Sequence, residues 1–403
     1  MDSAILNDPF LLAKKHLLEL TRGLPSGTVP VSVIQDISSM HPDWPVWPDL
    51  ALSDLIGPPN VRLKEVDLRW LHRFRATIAL LGWLSAQLGG PKGGPSALSL
   101  VVERAPILGH RGWGAVSAGG SCRILTTADG QIAANLPRVE DQSSVAAWLD
   151  APIEGTDWAS IEKAVQQVTS SELLSRAKLL GMPISVVGET KIPSGFEYNI
   201  GKEIQLKQKP RVVDLSSMWA GPLCSWYLMR CGAEVTKIES ILRPEKSRNW
   251  PDIFYQRLNQ GKEIIPLDFS SSIDLERLRN IIRGSDIIIE GSRPRALEHL
   301  GIDAKEEVRR GAIWCSITGY GRRWNPHRVG FGDDAAAGAN LLAEINGSLW
   351  FMGDAIADPI TGATAATLVL GYWLGCSSTL LDLGLSPTAA LYSQGLLSRA
   401  SSF

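Results

Sequence analysis

The sequence predicts an α/β fold built on a parallel sheet, with a smaller α+β domain before it and a helical region at the front. Three observations predict this. From Arg211 onward, short β-rich runs alternate with helical stretches, the pattern of βαβ units. Two of those runs, DIIIEG and EIIPLDF, are nearly continuous apolar stretches, as parallel strands covered on both faces should be. The middle of the chain carries a hairpin signal followed by several helical periods. The 403 residues suffice for two or three domains, and the expected division is a helical region over 1–100, a small α+β domain over 101–205 and the α/β lobe over 206–403.

In chain order, LLAKKHLLELTRGL and VDLRWLHRFRATIALLGWLSAQLG have helical apolar spacing. Between them Pro42, Pro45, Pro48, Pro58 and Pro59 enforce a loop, because proline cannot continue a helix. Gly89-Gly90-Pro91-Lys92-Gly93-Gly94 lacks the residue order of a phosphate-cradling loop and reads as a linker. ALSLVVE is expected as a strand, and SCRILTTADGQIAANL as a hairpin turning at Asp129-Gly130. Helices are expected in VEDQSSVAAWLD, WASIEKAVQQV and SSELLSRAKLLG, the last starting at Ser170-Ser171-Glu172. IPSGFEYNIGKEIQLKQKP is the linker into the lobe. There RVVDLS, EVTKIE, IIPLDF, DIIIEG and AIWCSITGYG are strands, with helices through GPLCSWYLMRCGA and DLERLRNIIRG.

Composition narrows the function. Forty Lys and Arg against 42 Asp and Glu leave a net charge of −2, which disfavours nucleic acid as a partner. Cys122, Cys224, Cys231, Cys315 and Cys376 are odd in number and never spaced CxxC, so neither a disulfide framework nor a zinc knuckle is expected. The six histidines form no HExxH, and no metal is expected. The acidic start of the chain resembles no secretory leader and no apolar run is long enough to span a membrane, so a reducing cytoplasm is the expected setting. Asn346-Gly347-Ser348 reads as a turn rather than a glycosylation site. Most of the 14 tryptophans, Trp44, Trp47, Trp70, Trp83 and Trp113 among them, are expected to serve packing.

In open parallel sheets ligands bind beyond the carboxyl ends of the strands. The loops there hold Arg243, Lys246, Arg248, Lys262, Arg293, Arg295, Arg322 and Arg323. They suit a polyanionic ligand, or else form a solvated rim. Ala220-Gly221-Pro222, between a strand and a helix, permits close backbone approach. The absence of GxGxxG gives no support for a nicotinamide or flavin dinucleotide.

VVDLSSMWAGPLCSWYLMRCGAEVTKIES, RLNQGKEIIPLDF, DIIIEGSRPRALEHLGI and IWCSITGYGR, in that order, resemble the class III CoA-transferases, the family of formyl-CoA transferase, carnitine CoA-transferase and alpha-methylacyl-CoA racemase. The resemblance continues through VGFGDDAAAGANLLA and GDAIADPITGATAATLVLGYWLG, and more faintly in the middle segment, whose counterpart in the family follows the CoA-binding half instead of preceding it. It implies a Rossmann-like parallel-sheet CoA-binding lobe, a smaller α+β domain and a homodimer. A coenzyme A thioester is then a substrate, with a carboxylic acid as its partner and no resident cofactor. For substrate binding it implies Ala220, Gly221, Pro222, Arg243, Arg248, Asn259, Lys262, Arg293 and Tyr320.

In the transferases an aspartate attacks the thioester and passes through an anhydride and an aspartyl thioester. The family's VDVSxxD pattern falls on Asp382 to Pro387 and places proline at the nucleophile. Asp382 is then a structural carboxylate. Asp333 and Asp334, which match the family's GYD or GHD, are the expected catalytic residues, though either would also suit the cap of the following helix. Asp354 and Asp358 form a second acidic pair near a helix start. Three activities follow as expectations: CoA transfer between acyl-CoA and carboxylate, racemisation of an acyl-CoA, or CoA binding without catalysis.

Overall fold

The structure, a computed structural model, describes residues 8–39, 52, 55–57, 66–198, 200–249 and 251–396. Pro42, Pro45, Pro48, Pro58 and Pro59, with Trp44 and Trp47, lie outside the described residues.

The first helix, Pro9–Thr21, starts two residues before the expected run, with Asp8 accepting the Phe10 amide at 2.9 Å and Pro9 in its first turn. The long helix Arg69–Gln87 follows. ALSLVVE is not a strand: Ser96 accepts the Ser99 amide at 3.0 Å and caps the helix Ala97–Val102. A six-residue apolar run has no periodicity of its own, so the cap decides.

Strands β1 (Cys122–Thr126), β2 (Gln131–Asn135) and β3 (Ile184–Val186) form a small antiparallel sheet, with Thr126 opposite Gln131 across the Asp129-Gly130 turn. The expected helices appear at Val139–Ser143, Val145–Leu149, Trp158–Val165 and Ser170–Leu180, the last capped by Thr169.

The larger sheet contains β4 (Glu197–Tyr198), β5 (Arg211–Leu215), β6 (Glu234–Ser240), β7 (Glu263–Leu267), β8 (Ile287–Glu290), β9 (Ile313–Thr318) and β12 (Thr379–Gly384), in the spatial order 4-12-9-8-5-6-7. β4 alone runs antiparallel to its neighbour. Counted along the chain, the six parallel strands lie in the doubly wound order 3-2-1-4-5-6. The order reverses between β5 and β8, and the crevice at such a switch point is where ligands bind. β8 is buried throughout, as its apolar run requires, but β7 is an edge strand with Ile264 37% exposed and Pro266 where no central strand would tolerate it. A second hairpin pairs β10 (Leu342–Ile345) with β11 (Ser348–Phe351), and its turn residues Asn346 and Gly347 have φ of 53° and 77°, as a tight two-residue turn demands.

The front helices do not have a core to themselves. Leu17, Trp70, Phe74 and Leu84 belong to the same apolar cluster as Val212, Leu223, Ile360 and Tyr392, so the expected first region packs as one face of the lobe. The small sheet has its own core around Ile132, Trp148, Leu173 and Ile184. Among the described residues no helix is long and apolar enough to cross a membrane, no side-chain group suits a metal ion, and the five cysteines are free thiols.

Candidate functional site

The loop after β5 is held from below by a buried set of charges. Asp214, near the end of β5, accepts from the hydroxyls of Ser216 and Ser225 and from the Lys262 ammonium at 3.0 Å. Lys262 also meets the Pro222 carbonyl at 3.0 Å, Ser225 Oγ at 2.8 Å and Asn259 Oδ1 at 3.0 Å. Beside it, buried Lys237 donates to the Ser216 carbonyl and pairs with Glu245, each at 2.8 Å, and Glu245 accepts the Met218 amide at 2.9 Å. Met218 is thereby held at a φ of 71°, costly for a residue with a side chain. Burial alone would raise the Asp214 carboxyl, but Lys237, Lys262 and two serine hydroxyls hold it well below the usual carboxylate range.

Lys262 and Asn259, expected to touch ligand, are thus buried and spend their polar groups on the protein: the three ammonium protons are shared among four acceptors. Ala220, Gly221 and Pro222 are buried at the start of the helix Ala220–Arg230. A Cβ on Gly221 would lie 2.1 Å from Ser216 Oγ, so Gly221→Ala is expected to lose about 1–3 kcal/mol in a denaturant titration. Arg248 grips Glu239 at 2.8 and 3.0 Å and stacks over Tyr255, while Arg243 and Arg293 stand exposed in the loops after β6 and β8. The expected basic rim is therefore partly spent on internal partners. Arg322 likewise pairs with buried Glu290, whose carboxyl burial raises to about 7. Asp382 is structural, accepting the amides of Arg322 and Arg323 at 2.7 and 2.8 Å.

Asp333 and Asp334 open the helix Gly332–Gly338, and both are buried. Asp334 accepts the Phe331 amide and the Asn135 side-chain amide, each at 2.9 Å, and the Tyr320 hydroxyl lies 3.3 Å away. It caps its helix, joins the small sheet to the lobe and is raised by burial to about 7. Tyr320 packs under the Arg328 guanidinium, 3.5 Å from its ring centre. Asp333 accepts the Ala355 amide at 2.8 Å and is raised to about 6, by burial and then by the charge of Asp354.

Asp333 shares its surroundings with Asp354 and Asp358. Asp354 is fully buried and takes Arg104 in a two-pronged pair at 2.8 and 2.6 Å, with His110 Nδ1 at 3.2 Å. Against the effect of burial, that pairing lowers it to about 2. Asp358 lies in the first turn of the helix Ala357–Leu374, is the most exposed of the four carboxylates, and accepts the Ala220 amide from the loop after β5. Gly362, one turn on, lets the two helices meet: a Cβ there would lie 2.5 Å from the Ala220 carbonyl. Burial raises Asp358 to about 7; Arg104 opposes this and the neighbouring aspartates add to it. Pro387 lies in the wholly buried helix Leu385–Ser393.

Sequence reasoning named Asp354 and Asp358 only as a pair near a helix start and passed over Arg104, His110 and Asn135. Their partners are 199 to 250 positions away, and no local pattern announces such contacts.

Fold and site together define a doubly wound α/β protein with a cluster of buried aspartates against the loop of its first parallel strand. Residues 208–374 match the model of CoA-transferase family III. The chain is similar to an acyl-CoA transferase of Fusarium pseudograminearum, with 30% identity over 174 residues and 38% of each chain covered. It is also similar to a succinyl-CoA:glutarate CoA-transferase of Homo sapiens, with 26% identity over 166 residues, 39% of this chain and 36% of that one. It thus spans well under half the length of these two relatives. Among solved structures, a CAIB/BAIF family protein from Brucella suis matches with 23% identity and a TM-score of 0.41, covering 47% of this chain and 55% of that one.

Proposed function

We propose that the chain transfers coenzyme A between an acyl-CoA thioester and a carboxylic acid, with Asp358 as the carboxylate that receives the acyl group. The observation that carries this reading is the position of Asp358: it is the most exposed member of the aspartate cluster and is held by the Ala220 amide beside the switch-point crevice. Its carboxylate attacks the thioester carbonyl, the C–S bond breaks and CoA leaves as thiolate. The thiolate attacks the aspartyl carbonyl of the mixed anhydride, releasing the first acid and leaving an aspartyl thioester. The acceptor acid attacks that thioester, CoA leaves again and then takes the new acyl group, which restores Asp358. Coenzyme A is a substrate throughout, bound in a Rossmann-like lobe whose loops after β6 and β8 carry the exposed Arg243 and Arg293. The reading includes a homodimer and a reducing cytoplasm, supported by the family resemblance and by the free thiols.

The test is mass spectrometry of acyl-CoA esters and free acids incubated with the protein in D₂O. New acyl-CoA species support transfer. Deuterium at the alpha carbon without new species would replace it with proton exchange by the Asp333 and Asp358 pair, and neither product would leave a CoA-binding protein.

Attack requires the ionised carboxylate. With Asp358 raised to about 7, kcat is expected to rise about tenfold per pH unit below that value and to level off above it. Stability runs the other way: the burial that raises this carboxyl favours its neutral form, so its contribution is full in acid and fades as pH climbs through about 7. A pH series of rate and of denaturation midpoint checks both slopes.

A further inference from the structure

We infer that Arg104 is a positioning residue for the proposed reaction: its guanidinium fixes Asp354 and the Trp219 indole, and so sets both the charge that Asp358 meets and its aim at the start of its helix. This rests on the transfer reading for its chemistry, but its geometry stands apart from it. Arg104 comes from the helix Arg104–Leu108, outside the segment that matches the family. It is 8% exposed and reaches two pieces of the site at once. Its Nε and Nη2 hold both oxygens of Asp354, and its central carbon lies 4.7 Å from the ring centre of Trp219. Trp219 immediately precedes Ala220, whose amide holds Asp358. A planar guanidinium can pair bidentately with a carboxylate on its edge while stacking an indole on its face, which a lysine cannot do.

The titratable groups facing this point are Asp354 and Asp358 from the turn and helix after β11, Asp333 from the helix Gly332–Gly338, His110 from the turn after Arg104, and buried Cys122 from β1. Arg104 is the permanent cation among three aspartates. It is also the leading charge that opposes the effect of burial on Asp354 and Asp358. Without it Asp333, Asp354 and Asp358 would crowd together without the leading charge that opposes them, and the proton would stay on Asp358.

The experiment compares Arg104→Met and Arg104→Lys with the wild-type chain. The first readout needs no substrate: the infrared band of a protonated carboxyl that Asp358→Asn removes is followed against pH. In Arg104→Met it is expected to persist to a pH about one unit higher. Arg104→Lys, which keeps the charge but loses the fork, is expected to restore most of that displacement and little of the rate. The second readout is acyl transfer, with kcat down about tenfold or more and KM nearly unchanged. Should Arg104→Met unfold, Arg104→Gln, which removes the charge but can still donate to Asp354, carries the same infrared test. A band that titrates at the wild-type pH in folded Arg104→Met overturns the inference, whether or not the chain transfers CoA. A displaced band in a chain that transfers no acyl group upholds the positioning role and overturns the transfer reading.

Discussion

Asp358→Asn is expected to fold normally and to lose acyl transfer by about 10³-fold or more. The amide oxygen of asparagine still accepts the Ala220 amide, and it relieves the repulsion from Asp333 and Asp354, so nothing that holds the helix start is lost. What disappears is the nucleophile. Two measurements separate this from a general loss of structure: the thermal midpoint, expected unchanged or higher, and trapping of the acyl-enzyme with hydroxylamine, expected to vanish. Asp333→Asn should cost far less, because that carboxylate is 7% exposed and already accepts the Ala355 amide. A rate within tenfold of wild type in Asp358→Asn would move the acyl group to another carboxylate.

The largest effect on stability is expected at Asp214. Replacing it with alanine strands the Lys262 ammonium among neutral acceptors, in a place where its side chain and that of Asp214 are both 0% exposed. Removing one member of a buried pair costs about 3–5 kcal/mol, whereas removing both can be nearly neutral. Asp214→Leu/Lys262→Met should therefore be closer to wild type than Asp214→Ala, as a denaturant titration of the three proteins would show. Because Asp214 is held below the usual carboxylate range, its contribution is present above about pH 4 and lost as pH falls further. Equal losses in the single and double variants would mean that packing, and not charge, holds the loop.

The parallel strands were legible because their environment writes itself into the sequence. DIIIEG is covered on both faces and apolar throughout, and β8 is its outcome. EIIPLDF looks the same, yet β7 is an edge, and only Pro266 hinted at it. ALSLVVE misled because an apolar run too short for a period carries no sign of its helix except the serine before it. In the site, the adjacent acids at 333 and 334 were visible as a helix start. That Lys262 faces inward was not visible, since a lysine in a strand-end loop has the same letter whether it meets solvent or a buried aspartate. Nor does any spacing reveal that Arg104 answers Asp354 across 250 positions.

That separation bears on how the molecule comes to exist. Arg73 donates to the carbonyls of Tyr392 and Gln394, 319 and 321 positions on, so the front helices and the last helix close upon each other. The hairpin of β1 and β2 can zip as soon as it is made, but the aspartate cluster cannot form until residue 358 has been synthesised and brought back to residue 104. Closing loops of that size is slow, and chains of high contact order pass through partly folded states with apolar surface still open. Refolding should therefore restore the small sheet's circular dichroism before it restores the charge pairs around Asp354, with the capacity to react arriving last.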